Sequence, residues 1–253
     1  MKSEVFLSKM SWPEVKERLK ETDIVLVPVG STEQHGLHLP LDNDAFIASE
    51  IAQRVAEKVA DEIKVVISPS IPFGVSTYHM GFPGTITLQP KTFASVVKDV
   101  CESLIRHGFR KIIIINGHGG NIAPLSTALQ EVREKTGVFL AVVIWWQLAS
   151  DVISKVCETP LAHACEIETS VALAVGQTVN MKKARREMPE SESRFREHGL
   201  IVPPRDLSKV TKTGVIGDST KATKEKGEII LNSVVDKIAA FLKKVSRIQE
   251  TPK

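Results

Sequence analysis

Four short runs, rich in β-branched residues and nearly free of charge, constrain this chain more than any other feature: DIVLVPVG (residues 23–30), KVVISPS (64–70), KIIIING (111–117) and VFLAVVIWW (138–146). Runs this continuous leave no polar face, so each reads as a strand buried on both sides. Between them, residues 45–61, 91–107 and 122–135 carry apolar positions at helical spacing. Strand, helix, strand in repetition predicts a parallel sheet with helices on both faces. The expectation is an α/β protein, a three-layer α/β/α arrangement with a mostly parallel sheet. Residues 166–175 and 224–244 read as further helices, whereas 188–213 is polar, Pro-containing and irregular. No linker divides the chain, so a single domain over residues 1–253 is expected.

Composition narrows the function classes. With 253 residues and 42% hydrophobic content the chain can bury a substantial core. Lys plus Arg number 33 against 30 for Asp plus Glu. They form no basic stripe interleaved with aromatics, so nucleic-acid binding is not expected. Cys101, Cys157 and Cys165 are an odd number without CxxC spacing, and the first residues form no apolar leader, which reads as a reduced, cytoplasmic protein. No run approaches the ~18 apolar residues of a membrane span.

In an open parallel sheet, ligands bind outside the carboxyl ends of the strands. Every unusual motif falls there: GSTEQHGLHLPLDND (30–44) after the first strand, FGVSTYHMGFPGT (73–85) after the second, NGHGGN (116–121) after the third, and Trp145 and Trp146 at the end of the fourth. HACEIETS (163–170) follows and opens a helix. Glu33 and His35, with Asp44, form a mixed carboxylate and imidazole set that suits Zn, Mn or Fe better than Ca or Mg. His118 alone at a strand end would read as structural; beside that loop it becomes a candidate ligand. Glu166 and Glu168, two apart at a helix start, point in different directions, so one is expected to face a metal and the other to sit at the helix N-terminus.

Taken jointly, GSTEQHGLHLPLDND, the FPGT of 82–85, NGHGGN, HACEIETS and the later TGVIGD and EKG (213–218, 225–227) resemble the creatininase, or creatinine amidohydrolase, family over most of the chain. The resemblance implies a three-layer α/β/α fold and two divalent metal ions per chain (Zn, Mn or Fe). It implies Glu33, His35, Asp44 and His118 as ligands, with Asp44 bridging, and Glu168 as the remaining ligand. His163 is then expected to meet the substrate or handle a proton, Glu166 to carry a proton or support from behind, and His38 to fix the loop by hydrogen bonding. Two cations sharing a water would lower its pKa toward ~7 and polarise an amide carbonyl. Tyr78, His79, Trp145 and Trp146 would form a wall for a flat substrate, one of the tryptophans being core instead.

The chain departs from creatininase proper at Gly119 and Gly120, where that enzyme resembles Tyr and a ligating Glu. Cys165 stands where relatives usually have glycine and is expected to be buried and inert. The two glycines widen the floor beside His118 and free backbone N–H groups for an anion. Arg185, Arg186, Arg194, Arg196 and Lys212 lie in or beside the segment expected to cover the mouth. The resulting expectation is hydrolysis of a small-molecule amide or formamide, with a formylamino-pyrimidine ribonucleotide ranked ahead of creatinine and of a small modified peptide. A homo-oligomer, dimer to hexamer, is also expected. A nucleotide-binding module is disfavoured because NGHGGN lacks GxGxxG and GK[ST]. A non-catalytic metal scaffold is disfavoured because the motifs provide for both a substrate wall and a proton donor.

Overall fold

The computed structural model describes residues 4–189 and 206–248. Along the chain run α1 (Trp12–Arg18), β1 (Ile24–Val29), α2 (Asn43–Val59), β2 (Val66–Ile67), α3 (Pro90–His107), β3 (Lys111–Asn116), α4 (Ile122–Thr136), β4 (Phe139–Ile144), α5 (Trp145–Leu148), α6 (Ser150–Val156), α7 (Glu166–Val175), β5 (Arg186–Glu187), β6 (Gly217–Asp218) and α8 (Lys224–Val245). β1 to β4 form a four-stranded sheet in the order β2-β1-β3-β4, every pair parallel. β5 and β6 pair separately and antiparallel.

The side-chain alternation of a strand divides the core into two layers. Ile24 and Leu26 of β1 and Ile113 and Ile115 of β3 pack with α2, α7 and α8. Val25, Val27 and Val29, with Ile112 and Ile114, pack with α3 and α4 on the other face. Every residue of β1 and β3 is buried, which is why neither carries a polar face in the sequence.

The fourth run ends as a strand earlier than expected. β4 stops at Ile144 and the chain turns at once into α5, so Trp145 and Trp146 begin a helical turn. Trp145 is buried in the α2–α7–α8 core, and Trp146 packs on the same cluster. Trp145 is thus the tryptophan that belongs to the core and not to a substrate wall, while Trp146 stays half-buried against the same hydrophobic neighbours. No helix among the described residues is long and apolar enough to cross a membrane.

Two glycines set the position of α2. A Cβ on Gly30, after β1, would collide with the backbone of Ala45, and one on Gly117, after β3, with the carbonyl of Asp44. Glycine at both strand ends therefore lets the first turn of α2 seat directly between them. Asp44 is delivered to the carboxyl edge of the sheet as a result.

Candidate metal centre

Glu33, His35, Asp44 and His118 are all buried and meet at that edge. His35 Nε2 lies 2.9 Å from Asp44 Oδ1. His118 Nδ1 lies 3.2 Å from Asp44 Oδ2 and 3.2 Å from Glu33 Oε1. Two groups of possible metal-holding residues result, Glu33–Asp44–His118 and Glu33–His35–His163, each with its donor atoms within 4.8 Å of one another. Glu33 belongs to both, while Asp44 sends one oxygen toward His118 and the other toward His35.

His35 Nε2 and Asp44 Oδ2 are buried and make no hydrogen bond. A buried polar atom without a partner costs roughly 1–3 kcal/mol, so a cluster that keeps two of them is shaped for something other than its own hydrogen bonds. A divalent cation fits both the donors and the charge. Burial pushes the His35 imidazole down, but the Asp44 carboxylate beside it outweighs that and raises it to about 10. Burial likewise opposes charge on His118, yet Glu33 holds its pKa well above the ordinary value. Glu33 is itself opposed by burial and held well below the carboxylate range by His118 and His79. The pocket thus favours positive charge at its centre.

Surrounding residues fix the ligands in place. Ser76 donates its hydroxyl to Glu33 Oε2 at 2.5 Å, and His79 Nε2 lies 3.2 Å from Glu33 Oε1. Neither contact has a signal in motif spacing. His79 was expected in the substrate wall, but it is buried under the cluster, with burial lowering its pKa to about 4. Asn116 donates to the His118 carbonyl at 2.7 Å, and Asn121 donates to the Gly30 carbonyl at 2.9 Å while accepting from the Val75 N–H at 3.0 Å. The two asparagines of NGHGGN thus bind three loops together. His38 joins the first loop to α7 through Thr169 Oγ1 at 2.8 Å, and burial lowers its pKa to about 4.

The HACEIETS segment divides its carboxylates. Glu166 does not reach the cluster. Its carboxylate accepts from the N–H groups of Glu158 and Thr159, from Thr159 Oγ1 at 2.7 Å and from Lys226 Nζ at 2.6 Å. Lys226 and these donors engage both of its oxygens, and it belongs to neither residue group, so the expected proton-carrying role finds no contact with the cluster. Glu168 is half-buried beside Asp44 and His35; burial pushes its carboxyl up to about 7, the His35 charge offsetting only part of this. It accepts from Ala164 N–H at 2.6 Å. Cys165 is buried, and burial raises its thiol to about 12. His163 Nδ1 lies 3.9 Å from Glu33 Oε1 and its ring centroid 4.6 Å from that of His35. Burial, with His79 and His35 nearby, holds its pKa well below normal, so it is neutral.

At the rim, half-buried Tyr78 stacks on His118, rings 6.2 Å apart at 20°, with its hydroxyl 3.5 Å from His118 Nε2. Gly119 is exposed, and a Cβ there would meet nothing within 4 Å; at Gly120 a Cβ would strike the Val75 carbonyl and come 2.6 Å from His118 Nε2. Of the basic residues expected at the mouth, Arg185 spends its guanidinium on the carbonyls of Lys182 and Ala184, and Arg186 approaches Asp218 at 3.8 Å. Arg194 and Arg196 lie outside the described residues.

A profile of the creatininase family, described as creatinine amidohydrolase, matches residues 8–242. The chain is 32% identical over 231 residues to the mycofactocin precursor peptide peptidase of Mycolicibacterium smegmatis, covering 87% of this chain and 85% of that protein. It is 29% identical over 259 residues to the creatinine amidohydrolase of Pseudomonas putida, covering 94% and 96%. A solved structure described as creatininase Mn superposes with a TM-score of 0.82 at 27% identity, covering 97% of this chain and all of that one. Together with the two residue groups, this likeness supports divalent metal binding.

Proposed function

The chain belongs to the creatininase family and is a hydrolase of carbon–nitrogen bonds, and from that premise we propose that it is a dinuclear amidohydrolase acting on a linear amide or formamide. The observation that carries the reading is the pair of residue groups sharing Glu33, with a buried atom of His35 and one of Asp44 left without hydrogen bonds. Glu33, His35, Asp44 and His118 hold the ions, Zn, Mn or Fe. When bound, such ions polarise an amide carbonyl and lower the pKa of water enough to supply a nucleophile near neutral pH.

The chain's own residues do the rest. Ser76 and His79 donate to Glu33 and keep its carboxylate ionised and fixed. Tyr78 stands half-buried beside His118, where its hydroxyl can donate to the oxygen that gains charge as the carbonyl is attacked. The departing nitrogen takes its proton from Glu168 in the first turn of α7, whose carboxyl burial raises to about 7 beside Asp44 and His35.

For the substrate, the open space at Gly119 favours a molecule larger than creatinine. We therefore rank a formylamino-pyrimidine ribonucleotide first. The guanidinium of Arg185 is already bonded to carbonyls and that of Arg186 is directed at Asp218, so neither supplies a phosphate site. The favoured feature is the formamide on a heterocycle. The test compares kcat/KM for that nucleotide, for creatinine and for a short peptide, in the Zn, Mn and Fe forms. Efficient creatinine or peptide hydrolysis with no turnover of the nucleotide overturns the ranking; no hydrolysis of any C–N bond by fully metallated protein overturns the function.

A further inference from the structure

Four histidines crowd around Glu33, and which of them can hold a cation depends on which ring nitrogen carries the hydrogen. Their neighbours decide it, because a backbone carbonyl only accepts, so the ring nitrogen beside it must be the N–H. His35 places Nδ1 3.2 Å from the Glu33 carbonyl and turns Nε2 inward. His118 places Nε2 3.0 Å from the Val75 carbonyl and turns Nδ1 inward. His163 follows the same rule: Nε2 donates to the Gln34 carbonyl at 2.8 Å, leaving a lone pair on Nδ1, the nitrogen on the Glu33 side. His79 is reversed. The Gln34 amide nitrogen donates to its Nδ1 at 3.0 Å, so the atom facing Glu33 is an N–H and no ligand.

We propose that His163 is a metal-holding residue, the third donor of the group formed with Glu33 and His35, and that His79 only donates to Glu33. The assignment rests on reading the site as that of a metal hydrolase. Orientation of a ligating imidazole by a carbonyl on its far nitrogen is the usual support for such a residue. The donor atoms of the group lie within 4.8 Å of one another, and His163 Nδ1 is 3.9 Å from Glu33 Oε1, close to the ~4 Å that two ligands with bonds of about 2 Å can span.

The backbone at His163 is built to hold that ring. His163 N–H donates to the Ile216 carbonyl at 3.1 Å and the Ile216 N–H returns to the His163 carbonyl at 2.8 Å. The next residue, Ala164, has φ of 48°, a left-handed conformation unfavourable for alanine, and Glu168 accepts its N–H at 2.6 Å. Glu168 thereby holds the turn that aims His163, and it completes neither residue group. The His118 turn offers no carboxylate or second imidazole, its other residues being glycines and the asparagines Asn116 and Asn121. Among the described residues, His163 is the donor left to complete the His35 group.

The test uses the wild-type protein loaded with cadmium-113 and labelled with nitrogen-15 histidine, in which one-bond coupling identifies each coordinating nitrogen. Coupling is expected at His35 Nε2, His118 Nδ1 and His163 Nδ1, and not at His79. In parallel, H163Q should carry about one ion per chain where the wild type carries about two, while H79Q keeps about two. An uncoupled His163 in doubly loaded wild type, or two ions retained by H163Q, overturns the assignment and returns His163 to proton transfer. A wild type that takes up no metal overturns the hydrolase reading itself, and is distinguished by the absence of all coupling.

Discussion

Asp44 Oδ1 stands 2.9 Å from His35 Nε2, while the other Asp44 oxygen is buried without a hydrogen bond. The pair is aligned for a common third partner, because α2 begins at the sheet edge and carries the aspartate into it. If Asp44 spans both residue groups, D44A should lose both ions and reduce kcat/KM by at least about a hundredfold. H118A should lose mainly one. Elemental analysis after gel filtration without chelator checks this, and equal loss in the two variants contradicts the bridge.

The two glycines after His118 should behave oppositely. G119A adds a methyl group to open space and should leave stability and metal content near wild type. G120A drives a methyl group into the Val75 carbonyl, which itself orients His118. It should lower the melting temperature by several degrees, an overpacking penalty of about 1–3 kcal/mol, and weaken metal retention. Thermal denaturation and metal analysis of both variants read this directly.

Glu166 and Lys226 form an ion pair, the carboxylate fully buried and the half-buried ammonium 2.6 Å away. K226M leaves the carboxylate with only its backbone and threonine donors and should destabilise by about 3 kcal/mol. The double variant E166Q/K226M should recover part of that loss, since no unpaired charge remains. Metal content should stay unchanged in E166Q, in K226M and in the double variant. Urea denaturation measures the cycle, and a loss of metal in E166Q would restore a role for Glu166 at the site.

Acid should loosen the junction that precedes β6. Burial opposes the Glu187 charge, but the hydroxyls of Thr213 and Thr211 and the N–H groups of Lys212 and Thr213 hold its pKa at about 2. A folded pKa below the unfolded value, about 4.3, means that this stabilisation is fully present above pH ~4.3 and is lost as pH falls toward 2. E187Q should therefore be less stable than wild type at neutral pH, and the gap should close between pH 4 and 2. A constant gap across that range would show that Glu187 does not act through its charge.

The sheet, its parallel order and the gathering of motifs at one edge were legible in the sequence. Continuous β-branched runs alternating with amphipathic stretches admit few other arrangements, and loops that follow parallel strands share an edge by geometry. The choice of Asp44 over Asp42 came instead from the resemblance to the creatininase family. Tertiary structure separates the two: Asp44 is buried in the first turn of α2, while Asp42 is exposed and takes a hydrogen bond from Gln177. Sequence could not say where a side chain at a turn or helix start would be held. Glu166 is drawn away by Lys226, which lies sixty positions later. Trp145 turns into the core because β4 ends at the residue before it. His79 and His163 are separated by the two hydrogen-bonding groups of one residue, Gln34, whose side-chain amide faces one ring and whose carbonyl faces the other. Periodicity and spacing encode local direction; hydrogen-bond partners distant in the chain decide protonation and orientation, and only the folded arrangement supplies them.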